Sequence, residues 1–281
     1  MIGATNHLVE APDPADVLAR VERQRIDSFF APPTVWIALA NHPDFGRGDL
    51  TALTKAYYGA SIMPVPVLQR LRTALPDLGF YNCFGQSEIA PLATVLRPED
   101  HDERPDSPGR PALFTELRVV DDGMNDVPPG ELGEAVYRSP QLCSGYWDKP
   151  EETAEAFEGG WFHSGDLVRR DDDGFVFVVD RKKDVINTGG VPVASREVED
   201  ALYTHPAVQE VAITAIPDEK WIEAVTAVVV AKEGVTTEDL LSHAREQLAA
   251  FKVPKTIHFV DDLPRNASGK LLKRLLRDQF T

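Results

Sequence analysis

Thiols are scarce in this 281-residue chain: Cys83 and Cys143 are its only cysteines, and neither has a close partner in sequence. Two cysteines make no disulfide framework, and a chain this long needs none to hold a core. Positive charge is also in short supply. Against 29 Lys and Arg stand 45 Asp and Glu, a net charge of −16. A polyanion partner needs a basic stripe to displace its counterions, so nucleic acid and anionic membrane are not expected as main partners. A local basic spot for a small phosphate ester stays compatible with this balance. Long apolar runs are missing as well: the longest aliphatic stretch, around Ala227–Ala231, is far below the ~20 residues of a transmembrane helix. Met1–Glu10 contains no Lys or Arg and no sustained apolar run, which argues against a secretory signal; a cytoplasmic location is expected.

What is present is ordinary for a globular protein, with 43% apolar and 26% charged residues. At about 150 residues per domain the length suggests two domains. Pro14–Asp27 (Val17, Leu18, Val21, Ile26) and Pro64–Leu75 (Val67, Leu68, Leu71, Leu75) carry helical spacing. From about Arg97 to Asp180 turn dipeptides recur and the stretches between them are short and β-prone, so residues 97–180 read as a small all-β subdomain. Asp173-Gly174, between Leu167–Arg170 and Phe175–Val179, reads as a tight hairpin turn. Beyond Asp180 strand and helix alternate. Glu197–Leu202 and Thr237–Phe251 read as helices, Val211–Ile216, Ala224–Ala231 and Thr256–Val260 as strands, and Lys270–Gln279 as a terminal helix. The expected fold class is α/β (α+β), with domains 1–180 and 181–281. On composition alone the charged run Asp180–Asp184 between them reads as a solvated linker.

Common catalytic signatures fail. A Walker phosphate loop would need Gly where Pro264 precedes Ser268-Gly269-Lys270; there is no Gly-x-Gly-x-x-Gly; and Ile89 stands where a nucleophile elbow at Gly85–Ile89 would need Gly. The seven histidines are scattered, without a pair at i, i+4. That leaves no usual zinc framework.

What remains is an ordered series of small-residue loops: Gly130-Glu131-Leu132-Gly133, Ser144-Gly145-Tyr146-Trp147, Trp161–Leu167, Asp180–Ile186 and Pro264–Lys270. In this order they resemble the motifs of the adenylate-forming superfamily, which includes acyl- and aryl-CoA synthetases, luciferases and peptide-synthetase adenylation domains. The acyl-CoA synthetases, and their fatty-acid branch in particular, are the most similar. The resemblance covers nearly the whole chain. It implies an adenylation lobe ending in a β-rich subdomain, followed by a small mobile α+β C-terminal domain. It also implies the activity: a carboxylic acid and ATP give an acyl-adenylate and pyrophosphate, then the thiol of coenzyme A displaces AMP.

The roles of single residues are implied by the same resemblance. Lys270 would be the catalytic cation where carboxylate and triphosphate meet. Glu88 would hold Mg²⁺. Ser87, in place of the usual threonine, would bond a phosphate or carboxylate oxygen, and Asp166 would accept both ribose hydroxyls. Phe84, in place of the usual tyrosine, would stack on adenine, with Gly85 beside it. Gly59, Ala60 and Ser61 would bring backbone close to the base and the acyl chain. Arg181 would contact ribose and phosphate, Lys183 would be the hinge, and Gly189 and Gly190 would line the path of coenzyme A. The neighbouring Val191-Pro192-Val193 departs from the family pattern and is not carried over.

Family members carry, upstream of the matched region, a Thr/Ser/Gly-rich loop with a lysine that wraps the ATP phosphates. This sequence has none, so the resemblance implies that Met1 falls near the family's midpoint. The expected partners are therefore a small carboxylic acid, ATP and CoA, together with a separate N-terminal half or self-association through an uncovered face. Three functions follow: a ligase truncated and inactive alone, half of a split ligase, or a non-catalytic remnant that binds nucleotide or CoA. A peptide-synthetase module is disfavoured because no carrier domain follows.

Overall fold

In the computed structural model, which describes residues 3–10, 12–61, 63–266 and 271–281, the chain is mixed α/β with several sheets. Its packing divides into two units, Met1–Gln86 with Pro91–Gly109, and Ser87–Ala90 with Arg110–Thr281. The division falls at Gly109: residues 97–109 belong to the first unit, and residues 110–180 share the second with everything after Asp180.

The first unit contains α1 (Pro14–Gln24), β1 (Ser28–Ala31), α2 (Pro33–Asn41), β2 (Lys55–Gly59), α3 (Val65–Ala74), β3 (Gly79–Phe84) and β4 (Thr94–Leu96). Helix α1 begins where the Asp13 carboxylate accepts the Asp16 amide at 2.9 Å, and it stops at Arg25, which takes φ 49°. That acceptor satisfies one of the donors a helix start leaves open. Strands β1, β2 and β3 run parallel, and β4 lies antiparallel to β3. Trp36 on α2 pins helix to sheet. Its indole N–H donates to the Tyr57 carbonyl at 3.2 Å, and its ring meets Phe29 and Phe80 edge-on.

The second unit starts its chain order with β5 (Arg110–Pro111), β6 (Glu116–Val120), β7 (Gly133–Arg138), α4 (Pro150–Ala156), β8 (Phe162–Arg170) and β9 (Val176–Arg181). Strands β6–β7–β8–β9 form one antiparallel sheet in that order. One sequence expectation is corrected here and one is borne out. The stretch is not all-β, because Pro150 at a first helical turn and the acidic Glu151 and Glu152 start the short α4. The hairpin expected at Asp173-Gly174 is present: β8 and β9 pair antiparallel on either side of it, Gly174 takes φ 83°, and its amide donates to the Asp171 carbonyl at 3.0 Å. The link spans Asp171 to Phe175, closed by Asp171 N–H to the Phe175 carbonyl at 2.9 Å and by Phe175 N–H to the Asp171 carboxylate at 2.8 Å. The aspartate side chain competes for the backbone and widens the loop.

Then follow β10 (Ile186–Thr188), β11 (Val191–Val193), α5 (Ser195–Tyr203), β12 (Val208–Asp218), β13 (Ile222–Ala231), α6 (Thr237–Gln247), β14 (Thr256–Phe259) and α7 (Lys273–Phe280). The sheet order is β11–β10–β13–β12, with β14 parallel to β13. Side chains alternate across β12: Val211, Ile213 and Ala215 join the core with Val198 and Leu202 of α5 and Leu240 and Ala244 of α6. Ala212 faces the other way, with Leu276 of α7. Period-two alternation thus places helices on both faces of one sheet. The terminal helix begins at Lys273, and Lys270, its expected start, lies outside the described residues. Among the described residues no helix is long and apolar enough to cross a membrane.

The first unit holds one buried titratable clasp. Tyr58 on β2 lies 3.0 Å from His101 Nε2, and His101 Nδ1 lies 2.7 Å from the Arg97 carbonyl. A carbonyl only accepts, so Nδ1 carries the proton and Nε2 accepts from the tyrosine. Burial, with a further push from Arg72, holds the His101 pKa below its ordinary 6.5. An unfolded chain takes up this proton more readily, so the clasp stabilises the unit fully above about pH 6.5 and is lost as pH falls. The urea midpoint should therefore drop as pH falls below about 6.5, and His101→Gln should flatten that drop; an unchanged slope would contradict the clasp.

Candidate functional site

In the first unit the structure sets two predicted segments side by side. Gly59 closes β2 and is the register partner of Cys83, so Gly59-Ala60-Ser61 leaves the sheet beside Phe84-Gly85 at the end of the parallel neighbour β3. Ligands of such sheets settle outside the carboxyl ends of the strands. The glycines are forced. A Cβ on Gly59 would lie 2.1 Å from the Cys83 carbonyl oxygen, and one on Gly85, at φ 157°, would lie 2.0 Å from that of Pro91. Ala60 takes φ 66° and is exposed, and Phe84 is half-buried.

In the second unit Ser87–Ile89 form a single 3-10 turn. Ser87 is exposed, whereas Glu88 is held from two sides. The Tyr146 hydroxyl donates to Glu88 Oε1 at 3.0 Å, and the Cys143 amide donates to the Glu88 carbonyl at 2.7 Å. Tyr146 is itself fixed, its amide donating to Thr153 Oγ1 at 2.9 Å on α4. Burial, then the Glu88 carboxylate, pushes the Tyr146 phenol up to about 12. Glu88 makes no ion pair among the described residues, so its charge is not cancelled by a neighbouring base. Nor do three His, Cys, Asp or Glu side chains converge anywhere among them. A lone carboxylate suits Mg²⁺, which takes one or two carboxylates and completes its shell with phosphate and water.

The third group sits on β8 and β9. Asp166, only 5% exposed, is the register partner of Arg181. Arg181 Nε donates to Asp166 Oδ1 at 3.0 Å, and its Nη2 to the Ser164 carbonyl at 3.3 Å. Glu134 on β7 accepts the Gly165 amide at 3.0 Å and faces His163 and Lys182 at 3.3 and 3.5 Å. Lys182 also reaches Asp122, the main reason its pKa is raised. Lys183 is exposed in the 3-10 turn Lys182–Asp184, between β9 and β10.

The fourth group surrounds the turn between β10 and β11. Gly189 and Gly190 are exposed at φ 63° and 86°, and the Gly189 amide donates to the Trp221 carbonyl at 2.5 Å. The Lys220 and Lys255 ammonium groups lie 4.9 and 5.0 Å from the Trp221 ring. Burial and repulsion from Lys220 depress the Lys255 pKa. Ile222, a β-branched residue, is forced to φ 70° next to Trp221. Such strain persists only where surrounding structure over-determines it.

Thus Asp166 meets Arg181, Gly59–Ser61 lie beside Phe84–Gly85, and Gly189 meets Trp221. Lys270 lies outside the described residues; the ends of its loop meet in an Arg265–Leu271 bridge and a Leu272 amide to Pro264 carbonyl bond of 2.8 Å. Sequence reasoning missed Tyr146, Glu134, Trp221, Lys220 and Lys255. Only Tyr146 stood inside a quoted motif, and its partner is 58 residues away.

The sequence pattern of the AMP-binding enzyme family matches residues 1–147, and that of the AMP-binding enzyme C-terminal domain matches residues 197–270. The chain belongs to the AMP-binding enzyme family. A medium/long-chain-fatty-acid–CoA ligase of Mycobacterium tuberculosis is 42% identical over 279 residues, which cover 95% of this chain and 48% of that protein. A feruloyl-CoA synthase of Amycolatopsis is 41% identical over 280 residues, 99% of this chain and 57% of that protein. Among solved structures, the amide bond synthetase McbA from Marinactinospora thermotolerans superposes with a TM-score of 0.88 at 34% identity, covering 96% of this chain and 56% of its own. The chain spans about half the length of the relatives it matches.

If Glu88 faces the phenol as described, Tyr146 should remain protonated at pH 10.5 in ¹³C-tyrosine NMR. Glu88→Gln should raise its ionised fraction at that pH. Ionisation already complete in the parent protein would contradict the contact.

Proposed function

We propose that the chain supplies the second half of an ATP-dependent acid–CoA ligase, turning a carboxylic acid, ATP and CoA into acyl-CoA, AMP and pyrophosphate. The observation that carries this reading is the Asp166–Arg181 pair: a nearly buried carboxylate beside a guanidinium, acceptor for a ribose and cation for its phosphate. Phe84 offers the adenine a face, with Gly59, Ala60, Ser61 and Gly85 leaving room at the strand ends. Glu88, steadied by Tyr146, would hold Mg²⁺ against the phosphates, and Ser87 would add a hydroxyl. The metal supplies charge neutralisation of the phosphates when bound. Lys270 would place its ammonium where charge grows at the α-phosphorus.

Residues 181–281 form the moving domain in this reading, turning about Lys183 so that Lys270 serves the first step and Gly189-Gly190 the second. The lysine pair at Trp221 supports CoA as the thiol. Two ammonium groups that repel each other are relieved by an anion, and the ring between them offers a face for a base. The fatty-acid branch is the favoured substrate class.

The half-length match to the relatives favours a second reading, in which the chain binds AMP or CoA without turnover, or works only with a separate N-terminal half. Phe30, 58% exposed on β1 at the end of its sheet, supports a docking face there, or self-association through it.

Calorimetric titration of AMP should show binding, and Asp166→Ala should weaken it by about tenfold or more, the loss of hydrogen bonds to a charged group. Undiminished binding would remove Asp166 from the ribose site. Carboxylate-dependent pyrophosphate exchange should be undetectable in this chain alone and restored by a co-expressed N-terminal half; robust exchange without it would overturn the truncation reading. In that restored enzyme Lys270→Ala should cut adenylation far more than thioester formation from a supplied acyl-adenylate.

CoA binding should weaken several-fold on Trp221→Ala and on Lys255→Met, with little change for AMP. Equal losses for both ligands would contradict a separate CoA subsite.

A further inference from the structure

Helix α5 does not cap its own start. Its N-cap position is Ala194, in extended conformation and without a side-chain acceptor. The capping group comes instead from across the linker: Asp180, at the end of β9 and 5% exposed, accepts the Ser195 amide on Oδ2 at 2.5 Å. Its Oδ1 takes the Ser195 hydroxyl at 3.2 Å and the Arg181 amide at 2.7 Å. One carboxylate therefore fixes both the turn that aims Arg181 and the first residue of α5.

Two further contacts brace the same junction. Arg196 Nη1 donates to the Val178 carbonyl on β9 at 2.5 Å. Lys273 on α7 donates to Ser195 Oγ at 2.6 Å and pairs with the partly buried Glu199 at 2.7 Å. Ser195 Oγ thus accepts from Lys273 while donating to Asp180, an arrangement that uses its single hydrogen. Every bond from Asp180 or Val178 to α5 spans the hinge residue Lys183.

We propose that Asp180 is a positioning residue, a latch whose bonds to the start of α5 hold Arg181 and the segment after it in the arrangement seen here. The latch must open before residues 181–281 can turn. This rests on the proposed rotation about Lys183, and it adds the contact that governs it. An anionic acceptor at a helix start gains from the helix dipole as well as from the bonds, so the latch is strong for a single side chain.

The linker tests this without any ligand. Lys182 and Lys183 are exposed tryptic sites, and cleavage after them, scaled to the denatured chain, reports opening of the junction. Asp180→Ala should speed cleavage there by about tenfold or more, the effect of losing bonds to a charged acceptor. Asp180→Asn should give an intermediate rate and keeps the test decisive if the alanine variant folds poorly. Adding Ala194→Asp gives α5 a local cap, and in the Asp180→Ala background it should restore thermal stability while the linker stays open. Protection restored together with stability would overturn the latch, because Asp180 would then be a helix cap and nothing more. An unchanged cleavage rate in both single variants would overturn it too, as would equal acceleration by the core change Val229→Ala. The nucleotide and CoA titrations judge the ligase reading separately, since trypsin cleavage needs neither ligand.

Discussion

A chain with a net charge of −16 that still buries carboxylates must supply each of them with donors, and that requirement organises the second unit. Asp166 and Asp180 are each 5% exposed on neighbouring strands. An unpaired buried charge costs several kcal/mol, so both must be answered by positive groups or N–H donors. Asp166 is answered by the Arg181 guanidinium and Asp180 by two backbone amides and a hydroxyl. In the ladder Asp166 pairs with Arg181 and Leu167 with Asp180, so successive pairs point to opposite faces of the sheet. One face thereby carries the Asp166–Arg181 ion pair, while the other binds the start of α5. A one-residue step along the strands thus separates the Asp166–Arg181 pair from the Asp180 contacts that pack α5.

Positive charge is used locally and in pairs. Lys220 and Lys255 flank one indole ring, and Lys182 bridges Asp122 and Glu134. A strongly acidic molecule repels polyphosphates at long range, and a small cluster of lysines opposes that repulsion only in its own neighbourhood. The charge count argues against nucleic acid as the main partner and is compatible with a local basic spot for a small phosphate ester.

Much of the C-terminal α+β fold was legible because its signals are local. Strands β12 and β13 are long aliphatic runs, and α6 opens with a capping box at Thr236 and Asp239. Other elements carried no local signal. Helix α2 has no charged residue, so no polar face marked it as amphipathic, and Trp36 declares its role only through Tyr57, Phe29 and Phe80. The motifs of the resemblance pointed to Asp166, Arg181 and Glu88. They could not say that a phenol 58 residues away steadies Glu88, because spacing along the chain carries no information about such contacts. Asp180 was visible only as part of a charged run, and composition assigned it to solvent. Folding placed it at the junction of β9 with α5, where burial and the missing cap at Ala194 give it a partner.

The crowding at Gly59 and Gly85 has a consequence for how such a protein diversifies. Any side chain at either position meets a main-chain oxygen that cannot swing aside, so neither site can drift even when its neighbours do. Ala60 and Ser61, next along the chain, are exposed. Variation at this end of β2 is left to the exposed Ala60 and Ser61, and at Ala60 only to residues that tolerate its φ of 66°, with the glycines as fixed points beside them.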